Sequence, residues 1–163
     1  MIYKKFIPNN RNNNFKIGDI VAGTVKNIKP YGAFVELEGG KIGLLKIEDI
    51  SIARIKTPEE RLKIGQKLKV VIKSIDKEGN KLFFSYKELL GTWEENIQGI
   101  NKGEIIKGKI RETEKYKNGI FIELKPNLVG MAEYKPNMEY GKEVNVYVKK
   151  IIPEKKKIKL KIV

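Results

Sequence analysis

The sequence predicts an all-β protein made of two tandem five-stranded barrels of the oligonucleotide-binding type, joined by a short helical linker. Three observations carry that expectation. Short runs that alternate apolar and polar residues recur along the chain, glycine-containing breakers separate them, and the stretch KPYGAFVEL at 29–37 has an echo, KNGIFIEL, at 117–124. Other landmarks keep register with that echo. Gly23 against Gly108 gives an offset of 85, Phe34 against Phe121 and Gly43 against Gly130 both give 87, and Gly65 against Gly141 gives 76. One unit is therefore written twice, and the second copy is shorter between its third and fourth strands.

The elements follow in order. The Asn-rich opening, IPNNRNNNF, has no periodicity and reads as a loose arm over residues 1–16. The first barrel spans 17–87, with strands expected at 19–28, 32–38, 41–47, 67–76 and 80–86; EGG at 38–40 and KEGN at 77–80 supply hairpin turns. Between the third and fourth strands, TPEERL carries a helix-start signature. Thr57 stands as cap, Pro58 in the first turn and Glu60 as the capping-box acid. The second copy lacks this piece and should lack the helix.

Residues 88–102 form the linker, a short helix around Trp93 with the indole buried against one barrel. Trp93 has two readings: a platform for stacking a base, or, with Leu89 and Leu90 nearby, an apolar pin that fixes how the barrels are oriented. The second barrel spans 103–163, with strands expected at 104–114, 118–124, 127–133, 142–152 and 157–162. Five short strands with one longer connection after the third match a small closed barrel.

Composition narrows the function. The formal charge is +14, and both halves share it: residues 1–90 carry 18 Lys and Arg against 10 Asp and Glu, and residues 91–163 carry 16 against 10. A surplus spread in this way suits a polyanion that runs along both halves, because each neutralised phosphate releases counterions. The chain has neither cysteine nor histidine, which removes disulfides, thiol nucleophiles, histidine-based triads and the usual zinc ligands. Adjacent acids at Glu59 and Glu60, or Glu94 and Glu95, have no phosphate loop or base to work with. No enzyme activity, metal or cofactor is expected. The apolar runs are too short to span a bilayer and the first residues lack a signal-peptide core, so a cytoplasmic monomer away from membranes is expected.

Alternation places the chemistry. In the strand from Gly32 to Leu37, Ala33, Val35 and Leu37 share the inward face, which leaves Phe34 outside beside Glu36. The second copy repeats this with Ile120, Ile122 and Leu124 inward and Phe121 outward beside Glu123. Exposed rings on a basic barrel suit single-stranded nucleic acid, since any base can stack on them. The alternative is that the linker or the other barrel covers Phe34.

GTVKNIKPYGAFVELEGGKIGLLKIEDIS, followed by LKIGQKLKVVIKSIDKEGNKLFFSYKEL, resembles an S1 RNA-binding domain over nearly all of residues 17–90. Residues 103–162 resemble a degenerate copy, and ELLGTWEEN resembles the linkers that join such modules. The resemblance implies an RNA-binding face made by two aromatics on the second strand, here Tyr31 and Phe34. It also implies an aspartate ending the fourth strand, here Asp76, and a basic residue opening the fifth, here Lys81. The family's third-strand histidine is Lys46 here, which keeps a phosphate contact and gives up stacking.

In the second copy the first aromatic becomes Asn118, the histidine position Glu133 and the aspartate Pro153, leaving Phe121 and Lys157. Seven lysines fall between Lys149 and Lys161, and alternation sends Lys157, Lys159 and Lys161 to one face. That is either a rail for phosphates or an edge strand that uses lysines against aggregation. Tyr116 stands where it could replace the missing ring.

The resulting expectation is a non-catalytic binder of single-stranded RNA with little sequence preference, acting in translation or RNA metabolism, free-standing or with the ribosome or another ribonucleoprotein. The rival is an adaptor whose second barrel docks on a protein. A third, weaker expectation is an accessory subunit that holds substrate for a ribonuclease or polymerase.

Overall fold

The computed structural model describes residues 15–76, 78, 80–114 and 118–163. Ten strands build two closed barrels. The first contains β1 (Ile20–Lys29), β2 (Gly32–Leu37), β3 (Ile42–Lys46), β4 (Lys67–Asp76) and β5 (Lys81–Ser85), closed in the order β1-β2-β3-β5-β4. The second contains β6 (Ile105–Glu114), β7 (Gly119–Lys125), β8 (Leu128–Glu133), β9 (Glu143–Ile152) and β10 (Lys157–Ile162). Its order, β10-β8-β7-β6-β9, is the same circuit. In each barrel one pairing is parallel, β3 with β5 and β8 with β10, and the other four are antiparallel.

Closing so few strands demands sharp bends, and the ladder slips by one residue at matching places. The slips fall at Lys26 in β1 and Arg111 in β6, and at Lys73 in β4 and Lys149 in β9. A further slip between β7 and β8 falls at Leu124, whereas the residues at these four matching slips are all basic. Three of them pair with an acid: Lys26 with Glu36, Lys73 with Asp49 and Arg111 with Glu123.

The inward faces form separate cores. Val25, Val35, Leu45, Val70, Ile72 and Phe84 lie within the first, and Ile110, Ile122, Leu128, Val146, Val148 and Leu160 within the second. Apart from residues 52–54, the chain divides between Leu90 and Gly91 into two compact units. The loose-arm expectation falls mostly on residues outside those described, although Phe15 packs against the first core.

The helix expected at TPEERL is not formed. Pro58–Glu60 makes a single 3₁₀ turn, and the Thr57 side chain caps nothing. The Glu60 carboxylate instead accepts from the backbone N–H of Lys56, one residue before the position a capping box requires. The box occurs in the linker. There Thr92 Oγ1 accepts from the N–H of Glu95 at 3.1 Å, and the Glu95 carboxylate accepts from the N–H of Thr92 at 3.2 Å, opening the one-turn helix α1 (Trp93–Asn96). As expected, residues 134–142 of the second copy contain no helix. Trp93, Ile97 and Ile100 pack on the second core.

Candidate nucleic-acid interface

Strand β2 fixes the first half of the site. Ala33, Val35 and Leu37 are buried while Phe34 and Glu36 are half-buried on the outer face. Tyr31, immediately before the strand, is 53% exposed. Its ring meets that of Phe34 edge-on, with centroids 6.2 Å apart and planes at 90°, a favoured aromatic geometry.

Register extends this pair across the sheet. Phe34 pairs with Leu44 on β3, and Leu44 pairs with Phe83 on β5. With neighbouring strands about 4.8 Å apart, Phe34 and Phe83 stand about 10 Å apart on one outer surface. Lys46, two residues after Leu44 and exposed, holds its ammonium 5.0 Å above the Phe83 ring centroid. That distance is within cation–π range. Lys81 is exposed two residues before Phe83, on the same face.

Tyr31, Phe34, Lys46 and Lys81 therefore share one surface. Asp76 pairs across the ladder with Lys81, but its carboxylate also accepts from the N–H of Glu78 at 3.0 Å, which engages it in the hairpin turn. Phe83 is the member that sequence reasoning overlooked. Alternation in KLFFS, with Leu82 and Phe84 buried, was the available signal. The linker's apolar residues are accounted for elsewhere: Trp93, Ile97 and Ile100 on the second core, Leu89 and Leu90 along a groove beside β4.

The second barrel carries the same row with different chemistry. Phe121 pairs with Met131, and Met131 with Lys159, so a thioether and an ammonium stand where the first barrel has Leu44 and Phe83. Phe121 is half-buried and Met131 is 44% exposed. Asn118 is an exposed left-handed turn residue with φ 54°, Glu133 is exposed opposite Gly119, and Pro153 opens a 3₁₀ turn. Tyr116 lies outside the described residues. Glu123, beside Phe121, is taken up by Arg111, whose Nε–H donates to it at 3.3 Å while Nη1 donates to the Tyr140 hydroxyl at 3.2 Å. The Arg111 guanidinium also lies 5.4 Å from the Tyr140 ring centroid. Two opposite charges buried together leave little net field on this face.

Strand β10 settles one of the alternatives left by the sequence. Lys157, Lys159 and Lys161 are exposed while Ile158, Leu160 and Ile162 are buried, as alternation requires. The strand pairs with β9 on one side and β8 on the other, so it is not an edge. The lysines guard no open ladder.

Residues 14–87 match the family described as the S1 RNA binding domain. This segment, the first barrel, belongs to the S1-domain family. It is 32% identical over 157 residues to the small ribosomal subunit protein bS1 of Staphylococcus aureus, a match covering 89% of this chain and 39% of that protein. It is 34% identical over 162 residues to the 4-hydroxy-3-methylbut-2-enyl diphosphate reductase of Clostridium acetobutylicum, covering 92% of this chain and 25% of the reductase. The chain thus spans well under half the length of these curated relatives. Among solved structures, that of GSP13 from Bacillus subtilis aligns with a TM-score of 0.46 and 28% identity, over 48% of this chain and 61% of that one. No helix among the described residues is long and apolar enough to cross a membrane.

Proposed function

We propose that this S1-domain chain binds single-stranded RNA without catalysing its reaction. Bases stack on Tyr31, Phe34 and Phe83 of the first barrel, and Lys46 and Lys81 hold the backbone. The observation that carries this reading is the outer-face cluster itself: three rings on or beside β2 and β5, the two strands that flank β3, with the Lys46 ammonium over one of them. Aromatic faces accept any base, so sequence preference is weak. On the second barrel Lys157, Lys159 and Lys161 form a basic row of their own, and Phe121 is a half-buried ring on that barrel's outer face. Asp76, whose carboxylate also accepts from the Glu78 N–H in the turn before β5, stands opposite Lys81 as a further contact.

The choice of RNA, with its 2′-hydroxyls, over DNA rests on the family and on the bS1 relatives, which are named as ribosomal proteins. A role in translation or RNA metabolism in the cytoplasm is part of the proposal, supported by the ribosomal name of those relatives. The reductase name describes a protein of which only 25% is matched, so its activity is not carried over.

Titration of fluorescent single-stranded RNA at several salt concentrations, with wild type and with Tyr31→Ala/Phe34→Ala, tests the proposal. Saturable binding that the double substitution weakens supports it. Absence of binding at low salt, or equal affinity in the two proteins, rejects it. A second reading, in which the second barrel docks on a protein, is favoured by Asn118, Glu133 and Pro153, which remove the family's nucleic-acid groups there.

A further inference from the structure

The outer face around Phe34 carries two polar groups that stacking alone does not employ. The ladder slip at Lys26 sets Asn27 opposite Phe34, so this amide is the ring's cross-strand neighbour on β1. Asn27 is exposed, and its Oδ1 accepts from the N–H of Ile28 at 2.9 Å. A backbone N–H can bond only the oxygen of the amide, which leaves Nδ2 as the group offered to a ligand. No described residue accepts from that nitrogen. Glu36 is the next outward residue of β2 after Phe34, about 7 Å along the strand, and a diagonal neighbour of Asn27.

The two barrels treat this glutamate differently. The Glu36 side chain is 36% exposed, and its cation is the equally accessible Lys26, with Nζ 3.8 Å from Oε1. In the second barrel the corresponding Glu123 is 10% exposed and held by the buried Arg111 at 3.3 Å. There Glu112 takes the place of Asn27, opposite Phe121. An accessible carboxylate beside an amide donor is thus present at the first ring and absent at the second.

We infer that Asn27 and Glu36 read the edge of the base stacked on Phe34 and favour guanine. The inference rests on the stacking reading above and adds a modest base preference to it. The Watson–Crick edge of guanine presents O6, then N1–H and N2–H side by side. Two neighbouring donors match the two oxygens of a carboxylate, while O6 accepts from Asn27 Nδ2. Adenine and cytosine offer the carboxylate one amino group beside a ring nitrogen whose lone pair repels it, and uracil offers one N–H between two carbonyl oxygens. Lys26 offsets the charge of Glu36, which limits its repulsion of the phosphate backbone.

Fluorescence anisotropy tests this with the full chain and oligouridylates that carry one central guanosine, inosine, adenosine or cytidine. Inosine keeps O6 and N1–H but lacks the N2 amino group, so it removes one hydrogen bond without any change to the protein. The guanosine oligomer is expected to bind about threefold or more tightly than the other three. Glu36→Gln, which cannot accept from both donors, should bring guanosine and inosine within about twofold of each other without weakening the adenosine oligomer. Asn27→Ala should shrink the guanosine advantage. Both changes fall on the outer face, and thermal melts identify any variant that fails to fold. Equal affinity of wild type for all four oligomers overturns the inference, as does a guanosine preference that survives Glu36→Gln. Phe34→Ala separates the two proposals. If it weakens all four oligomers while wild type shows no guanosine preference, stacking stands and edge reading is wrong; if it weakens none, the stacking reading fails and this inference fails with it.

Discussion

Phe34 shows how little of a residue's role is decided by its identity. The same side chain, one position along, would fill the core; the phase of GAFVEL puts it outside, next to Tyr31. If bases stack there, Phe34→Ala should weaken single-stranded RNA binding by about 1 to 3 kcal/mol. Phe83→Ala should do the same, with little change in thermal stability because both rings sit on the outer face; anisotropy and melting curves check the two effects. That Phe34 faces outward was legible from alternation alone. The company Phe83 keeps was not, since Lys46 reaches its ring only because β3 and β5, far apart in sequence, run in parallel.

Lys73 yields a different kind of prediction. Its ammonium donates to the buried Asp49 carboxylate at 2.8 Å. That hydrogen bond raises the Lys73 pKa above 10.5; burial opposes it, and the charges of Asp49, Glu88 and Glu48 reinforce it. Because the lysine is half-exposed, Lys73→Met should cost only about 1 kcal/mol at neutral pH. A raised folded-state pKa gives stability that is complete below the ordinary lysine value and is lost as pH rises through the raised one. Urea melts of wild type and variant should therefore differ at neutral pH and converge only as pH rises past the ordinary lysine value of 10.5.

At the scale of elements, the repeated glycine of the third strand is explained by what lies on the parallel strand. A Cβ on Gly43 would fall 2.6 Å from Phe84 Cζ, and one on Gly130 would fall 2.6 Å from Leu160 Cδ1, both far inside contact distance. Gly43→Ala should thus destabilise the first barrel by about 1 to 3 kcal/mol through overpacking, visible as a lowered denaturation midpoint. The capping motif taught the opposite lesson. Thr57 to Glu60 has the right letters, yet Glu60 bonds the N–H of Lys56, whereas Thr92 to Glu95 makes the full reciprocal pair. A four-letter pattern states which bonds are possible, and the path of the chain decides which are made.

The lysines of strand β10 read equally as phosphate contacts or as edge protection until both neighbours of the strand are known, and a parallel partner 25 or more residues away is invisible to local pattern. With the edge role gone, Lys157→Glu/Lys159→Glu/Lys161→Glu tests the rail. If all three meet phosphates, the logarithmic salt slope of RNA binding should fall by about 2, at about 0.7 per contact. An unchanged slope would assign these lysines to solubility.

For the whole molecule, the duplication was the most legible feature, because both copies keep the inward set that a closed barrel needs even where the outer face has changed. Strand limits followed from that set to within a residue or two, whereas the pairing order of the strands had to come from the structure. The outer faces diverged. Asn118 stands at the place of Tyr31, Met131 at that of Leu44 and Lys159 at that of Phe83. This asymmetry predicts that residues 1–90 expressed alone melt cooperatively and keep most of the affinity for bases while losing part of the salt dependence. Loss of all binding would move the base contacts to the second barrel.

Contact between RNA bases and the rings of the first barrel can be read directly. Adding single-stranded RNA to the isotopically labelled full chain and following the ring protons of Tyr31, Phe34 and Phe83 by NMR reads those contacts without altering the protein. All three rings are expected to shift together and to saturate at one RNA concentration, in the direction that stacked bases impose. If those rings stay unmoved while lysine signals of the second barrel respond, the ring face is not where this protein holds RNA.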